Sequence, residues 1–290
     1  MSRGFTPTKG FKGVTEGFVG TFRSFGDSVE GFRDSNGSSG FSPLDLAGLQ
    51  AFYDISDISS LFQDSTGLTP VTTTLDPVGR VNDLSGNGND FTQPGSASIK
   101  PTYTVNGSDK YLSFDGADWM SILSSTALFK YLHDGTGCTV LIGVRFGDGA
   151  PPISTDVLLS SYSLSSSQTG LAIYFTAGNR IKNVVGKGVS FQYPVNDGPV
   201  SNDFIDTNLV FGFTYESPNY ASYADSVSID TGTQSFTPSS GNASANLALG
   251  ASGGSIPSLE GRFAVMTIYN RVLDQSEIDG VSNFISLRMS

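Results

Sequence analysis

The sequence predicts a mostly β protein, a two-sheet antiparallel jelly-roll sandwich with a C-terminal closing helix and an N-terminal arm. Three observations predict it. From Lys110 onward, short apolar stretches return every roughly 8–20 residues between turns of Gly, Asn, Asp and Pro, the spacing of a sandwich. Only 15% of residues are charged, against about 25% in ordinary globular domains, while 35 Gly and more than forty Ser suit a loop-rich β surface. Near the end of the chain the pattern changes once. There Asp274 and Glu277 form a capping box before Ile278, Val281, Ile285 and Leu287–Met289, with Phe284 widening the stripe.

The first 43 residues differ from the rest. They hold five basic and four acidic side chains, so they carry +1 and the remainder −12 of a net −11. Phe11, Phe18, Phe25 and Phe32 stand seven apart, and Val14, Phe22 and Val29 fill in steps of three and four. That is one helical face. Gly13, Gly17, Gly20, Gly26 and Gly31 oppose a free-standing helix, each costing about 1 kcal/mol relative to Ala. Two conformations stay open: a helix formed when a partner buries the stripe, or an extended arm with Phe side chains in successive pockets. The plain alternative is an unattached tail. Phe5, Phe11, Phe18, Phe22, Phe25 and Phe32 are the anchoring candidates, each contributing about 1.5–3 kcal/mol on full burial. Residues 34–43 (DSNGSSGFSP) read as a linker, so the domains are 1–43 (arm and linker) and 44–290 (body).

In the body, residues 44–109 show little regular periodicity beyond a strand-like LQAFYDI (49–55), and LSGNGND (84–90) is dense in turn formers. Strands follow at 110–116, 138–146, 157–163, 170–176, 179–186, 208–215, 225–230, 245–251 and 262–273. Alternation places Val140, Ile142, Val144 and Phe146 on one face of their strand. The same rule groups Phe263, Val265, Thr267 and Tyr269.

Composition excludes several functions. A net charge of −11 repels phosphate backbones and anionic membranes, so neither nucleic acid nor membrane is expected as a partner. One cysteine, Cys138, and one histidine, His133, leave no disulfide pair, no multi-thiolate centre and no multi-imidazole metal site. His133 is expected on a surface loop and Cys138 as a small buried hydrophobe. No run reaches the roughly 18 apolar residues of a membrane span. The opening residues carry no signal-peptide core, so synthesis in a reducing cytoplasm is expected.

Two segments carry a resemblance. FYDISDISSLFQDSTGLTPVTTTLDPVGRVNDLSGNGNDFTQP (52–94) with YLSFDG (111–116) resembles the opening of laminin-G-like jelly-roll domains of the concanavalin A-like lectin/glucanase fold. LEGRFAVMTIYNRVLDQSEIDGVSNFIS (259–286) resembles their last strand and closing helix. The opening is also similar to domains in structural proteins of tailed-phage virions. That resemblance implies a non-enzymatic virion protein, a capsid decoration or head fibre held by its Phe-rich arm. Its implied partners are other virion proteins, the major capsid protein first, and copies of itself, with a trimer as candidate. The alternative is a tail or fibre adhesin whose loops bind host surface glycan through Trp119, Tyr220 and Tyr223.

Enzymes of this fold carry Glu-x-Asp-x-Glu on one strand, supplying nucleophile and acid on the same face. Here none of five Glu has an acidic neighbour two away on an evident strand, and Asp115 and Asp118 share a turn, poorly spaced for such a pair. No resident cofactor is expected. Calcium is the candidate metal, at Asp83, Asn87, Asn89 and Asp90 around a Gly-rich turn, although Asn-Gly clusters ordinarily just build turns.

Overall fold

A computed structural model describes residues 40–147, 156–162, 169–176, 180–187, 196–197, 206–253 and 256–290. The chain runs through β1 (Leu49–Asp54), β2 (Leu61–Phe62), β3 (Arg80–Val81), β4 (Phe91–Thr92), β5 (Thr102–Asn106), β6 (Asp109–Asp115) and β7 (Met120–Ser121). It continues with β8 (Cys138–Phe146), β9 (Asp156–Ser160), β10 (Thr169–Thr176), β11 (Arg180–Lys187), β12 (Asn196–Asp197) and β13 (Leu209–Glu216). Last come β14 (Asn219–Ala224), β15 (Val227–Thr233), β16 (Ala248–Leu249), β17 (Ala251–Ser252), β18 (Ile256–Pro257), β19 (Glu260–Tyr269) and α1 (Gln275–Ser286).

These strands build two large antiparallel sheets, with β17 and β18 forming a separate two-stranded ribbon. One has the order β15-β14-β13-β8-β19-β6-β5, with β1 beside β19 beyond the end of β6. The other runs β12-β11-β10-β9-β16-β7-β4-β3-β2. Val140, Ile142, Val144 and Phe146 of β8 all face the space between the sheets, where Phe146 stacks on Phe175 of β10 with ring centroids 4.6 Å apart. Phe211, Phe213 and Tyr215 of β13 join them. Period-two alternation puts half of each strand into this core.

The outer face of the first sheet is buried as well. Helix α1 lays Ile278, Val281, Phe284 and Ile285 on Phe52, Leu141, Val210, Val265 and Tyr269. Its start is fixed as the capping box requires: Asp274 Oδ1 accepts the Glu277 N–H at 2.9 Å, and Glu277 Oε2 accepts the Asp274 N–H at 3.0 Å. The Arg271 guanidinium clamps the same Glu277 carboxylate at 2.6 and 2.7 Å. Close approach of the helix depends on Gly143 of β8, where a Cβ would lie 2.5 Å from Ile285 Cγ2 and 2.6 Å from Met289 Sδ.

Three expectations are corrected. Phe263 does not share a face with Val265 and Tyr269, because the register of β19 on β8 shifts between Phe263 and Val265. Phe263 faces the inter-sheet core, whereas Val265 and Tyr269 face α1. The segment around Tyr220 and Tyr223 is the strand β14 and not a loop, since pairing on both sides overrides its Asn, Ser and Asp content. Leu287 is exposed, lying just past the last helical turn.

Gly143→Ala should destabilise the body by about 1–3 kcal/mol through overpacking under α1, read as a lowered urea midpoint with unchanged m-value.

Candidate ligand-binding site

The six anchoring Phe residues lie outside the described residues. The three aromatic contact candidates do not meet. Tyr220 packs against the inter-sheet core, whereas Tyr223 packs on the helix side of the same strand. Trp119 sits between β6 and β7, half-buried, its carbonyl accepting from Gln93 Nε2 at 2.9 Å. No shared aromatic platform results.

The turn proposed for calcium does come together, but its carboxylates are already engaged. Asp83 Oδ1 accepts the N–H groups of Phe52 and Ser85, and Oδ2 those of Asn89 and the Ser85 hydroxyl. Asp90 takes the Asp83 N–H and the Arg80 guanidinium. Asn87 and Asn89 donate to the carbonyls of β1. Ligands aimed at donors form a staple, not an oxygen cage. Among the described residues no cluster of three metal-ligating side chains occurs.

His133 is buried, not on the surface. Its Nε2–H donates to the Gly241 carbonyl at 3.1 Å, and burial lowers its pKa. Cys138 is buried as expected, and desolvation pushes its thiol up to about 12.

One end of the sandwich collects carboxylates. Asp115 of β6 and Glu260 of β19 are cross-strand partners, Asp118 Oδ2 accepts the Asp115 N–H at 3.1 Å, and Asp156 is tied to the backbone of Glu260. Desolvation raises Asp118 to about 7 and Asp156 to about 6, each with a nearby carboxylate adding to the rise. Asp118 and Asp156 are each only 4% exposed and fix turns, whereas Asp115 and Glu260 are exposed.

A polar depression with room for about one water molecule, about 10 Å³, lies on the outer face of the first sheet, beyond the last turn of α1. Arg145 of β8 and Arg262 of β19 are direct cross-strand partners. Asp109, Lys110 and Tyr111 of β6, Ala264 of β19, Asn208 before β13, and Arg288 and Met289 after α1 complete the lining. Arg262 stacks over the Tyr111 ring at 4.6 Å. Arg288 lies 3.4 Å over the Phe284 ring and pairs with Asp54 of β1. Arg145 Nη2 reaches Asp206 Oδ1 at 3.3 Å, while Arg145 Nε is buried without a partner. A second cleft of about 280 Å³ shares Asn208 and Met289 with the first and continues to Val210, Asp225 and Ser290. Residues 289 and 290 run between them, held by the Asn208 side-chain amide donating to the Met289 carbonyl. The site was hidden in the sequence because its cations are scattered over 110, 145, 262 and 288, and only strand pairing assembles them.

No family model matches the sequence, and no curated protein matches it. Solved structures do. The chain is similar to the sialidase of Trypanosoma rangeli in complex with the inhibitor DANA, with TM-score 0.54 and 13% identity over 83% of this chain and 34% of that one. The same sialidase with 2,3-difluoro-KDN gives TM-score 0.55 and 14% identity over 84% of this chain and 33% of that. This chain therefore spans about a third of the sialidase's length. Domain 4 of AbnA, a GH43 extracellular arabinanase from Geobacillus stearothermophilus, in complex with arabinotriose, matches with TM-score 0.51 and 15% identity. That likeness covers 81% of this chain and 98% of the domain.

The shared feature is a β-sandwich. These likenesses, to carbohydrate-active proteins, overturn the capsid-decoration and head-fibre expectation. The opening and closing segments encode strand and turn geometry, which many sandwiches use whatever they are attached to.

Two measurements test this account of the acidic groups. Asp118 and Asp156 hold their protons more tightly folded than unfolded, so their contribution is complete below about pH 4 and is lost as pH rises through about 6–7. The melting temperature should fall between about pH 5 and pH 8, and Asp118→Asn with Asp156→Asn should flatten that fall. Asp83→Ala, which strands the N–H groups of Phe52 and Asn89, should cost about 1–3 kcal/mol in urea unfolding, with or without a calcium chelator.

Proposed function

We propose that this chain is a carbohydrate-binding β-sandwich module, laminin-G-like in type, that holds a glycan without cleaving it. The observation that carries the reading is the arabinanase likeness. It spans 98% of that domain, so the body corresponds to a complete domain of a larger enzyme, one described in complex with arabinotriose. The closing helix on the outer face and the Asp83 turn under β1 support the laminin-G-like type.

The cleft beside α1 is the proposed binding face. It gathers the guanidinium groups of Arg145, Arg262 and Arg288 and the Lys110 ammonium, with the Tyr111 ring packed beneath Arg262. Such groups recognise sugar hydroxyls through directional hydrogen bonds. Two carboxylates flanking a bond are what glycoside hydrolysis requires, about 5–9 Å apart. Asp109 is the one carboxylate lining this cleft among the described residues, and the raised carboxyls of Asp118 and Asp156 are shut in at the strand ends. These placements support binding without hydrolysis.

Isothermal titration of the full chain with neutral and acidic oligosaccharides, alongside an assay for new reducing ends, tests the reading. Reversible binding of at least one oligosaccharide with no new reducing ends is expected. Absence of all binding overturns the module reading, and release of reducing ends overturns the non-enzymatic part.

A further inference from the structure

Independently of the glycan reading, we infer that Asn106 is a self-modifying site, deamidating ahead of the other described Asn-Gly pair. Asparagine before glycine is the dipeptide most open to this chemistry, because Gly has no Cβ to hinder its own nitrogen as a nucleophile. The sequence holds three such pairs, beginning at Asn36, Asn87 and Asn106, and Asn36 lies outside the described residues.

The fold treats the other two differently. Both asparagines are exposed, and a Cβ on Gly88 or Gly107 would meet nothing within 4 Å, so neither glycine is crowded. Their side chains differ. The Asn87 amide donates to the carbonyls of Leu49 at 3.2 Å and Gln50 at 3.1 Å, and to the Ser85 hydroxyl at 3.1 Å. Those bonds must break before its Cγ can turn to the Gly88 nitrogen. Asn106 has no side-chain hydrogen bond among the described residues, and the Gly107 N–H donates to none of them. It ends β5, paired with Asp109 across a two-residue turn in which Gly107 takes φ +64.

The Gly107 nitrogen gives its proton to hydroxide and attacks Asn106 Cγ. A C–N bond forms, the side-chain nitrogen leaves as ammonia, and a cyclic succinimide closes. Water then opens either carbonyl, giving aspartate or isoaspartate. The aspartate product sets a carboxylate opposite Asp109, a like-charge pairing that destabilises the hairpin. Isoaspartate lengthens the main chain by a methylene where β5 turns into β6, disturbing their register. Asp109 and Lys110 line the polar depression beside α1, so either change reaches its rim.

The full chain is incubated at mildly alkaline pH, native and in concentrated guanidinium chloride, and then cut with trypsin. Residues 81–110 form one tryptic fragment holding both asparagines, because Lys100 precedes a proline. Fragmentation mass spectrometry assigns each amide-to-acid mass gain. In the native chain Asn106 should convert at least about tenfold faster than Asn87, whose hydrogen bonds must open first. In denaturant the two rates should come within a few-fold of each other. Asn106→Gln should remove the fast native conversion and leave that of Asn87 slow. If that variant does not fold, the comparison of native with denatured on the unaltered chain still decides. Equal native rates, an Asn87 that converts first, or an Asn106 that stays intact overturns the inference. Asn106→Asp should lower the melting temperature, and by less at high salt. An unchanged melting temperature overturns the destabilising consequence.

Discussion

Strand β19 is the constraint on which the rest of the body depends. It is hydrogen-bonded to β8 along one edge and to β6 and then β1 along the other, so it joins the opening of the body to its centre. Both of its faces are buried, one in the inter-sheet core and one under α1. Period-two geometry means a one-residue slip would exchange those faces. The bulge at Ala264 makes that exchange once, deliberately placed: before it Phe263 points to the core, after it Met266 and Ile268 do. It also fixes the cleft, because Arg262 lies just before the bulge, on the outer face and opposite Arg145.

Polar groups are handled in two contrasting ways. At the Asp83 turn, carboxylates replace missing strand partners by accepting backbone N–H groups of β1 and of their own loop. That is an economical way to close a segment with little apolar periodicity. At the far strand ends, Asp118 and Asp156 are desolvated beside other carboxylates, which favours their neutral forms. Half-buried Asp76 and exposed Asp274 move the opposite way, stabilised as anions by hydrogen bonds from neighbouring backbone N–H groups. An acidic chain thus spreads its titration widely.

Much of the fold was legible in the sequence where alternation or capping is strong. The run 138–146 coincides with β8, and Asp274 and Glu277 cap α1 as their spacing requires. Weak alternation hid β5 and the two-residue strands β2, β3, β4 and β7, which pair only with one another and with the equally short β16 and are too brief to show a period. Tyr220 and Tyr223 read as loop residues because Asn, Pro and Ser surround them, yet Gly212 and Gly232 on the flanking strands make room for their rings. The candidate site was the least legible part. A cross-strand pair 117 positions apart in sequence, Arg145 with Arg262, leaves no local trace, and the aromatic residues that did stand out serve packing.

The pairing of Leu49 with Tyr269 sets how this body would bear mechanical load. β1 and β19 are antiparallel, so the chain enters and leaves the sandwich at the same corner. Tension applied through residues 49 and 269 would peel their ladder open one hydrogen bond at a time, a low-force route, whereas shearing loads the whole ladder together. Resistance at that corner would rest on the neighbouring bonds that bridge it: the Tyr269 hydroxyl to the Pro43 carbonyl at 3.2 Å, and Arg271 Nε to the Ala47 carbonyl at 2.8 Å. A module suspended in this way would yield first at its attachment, leaving β8, β13 and the inter-sheet core intact.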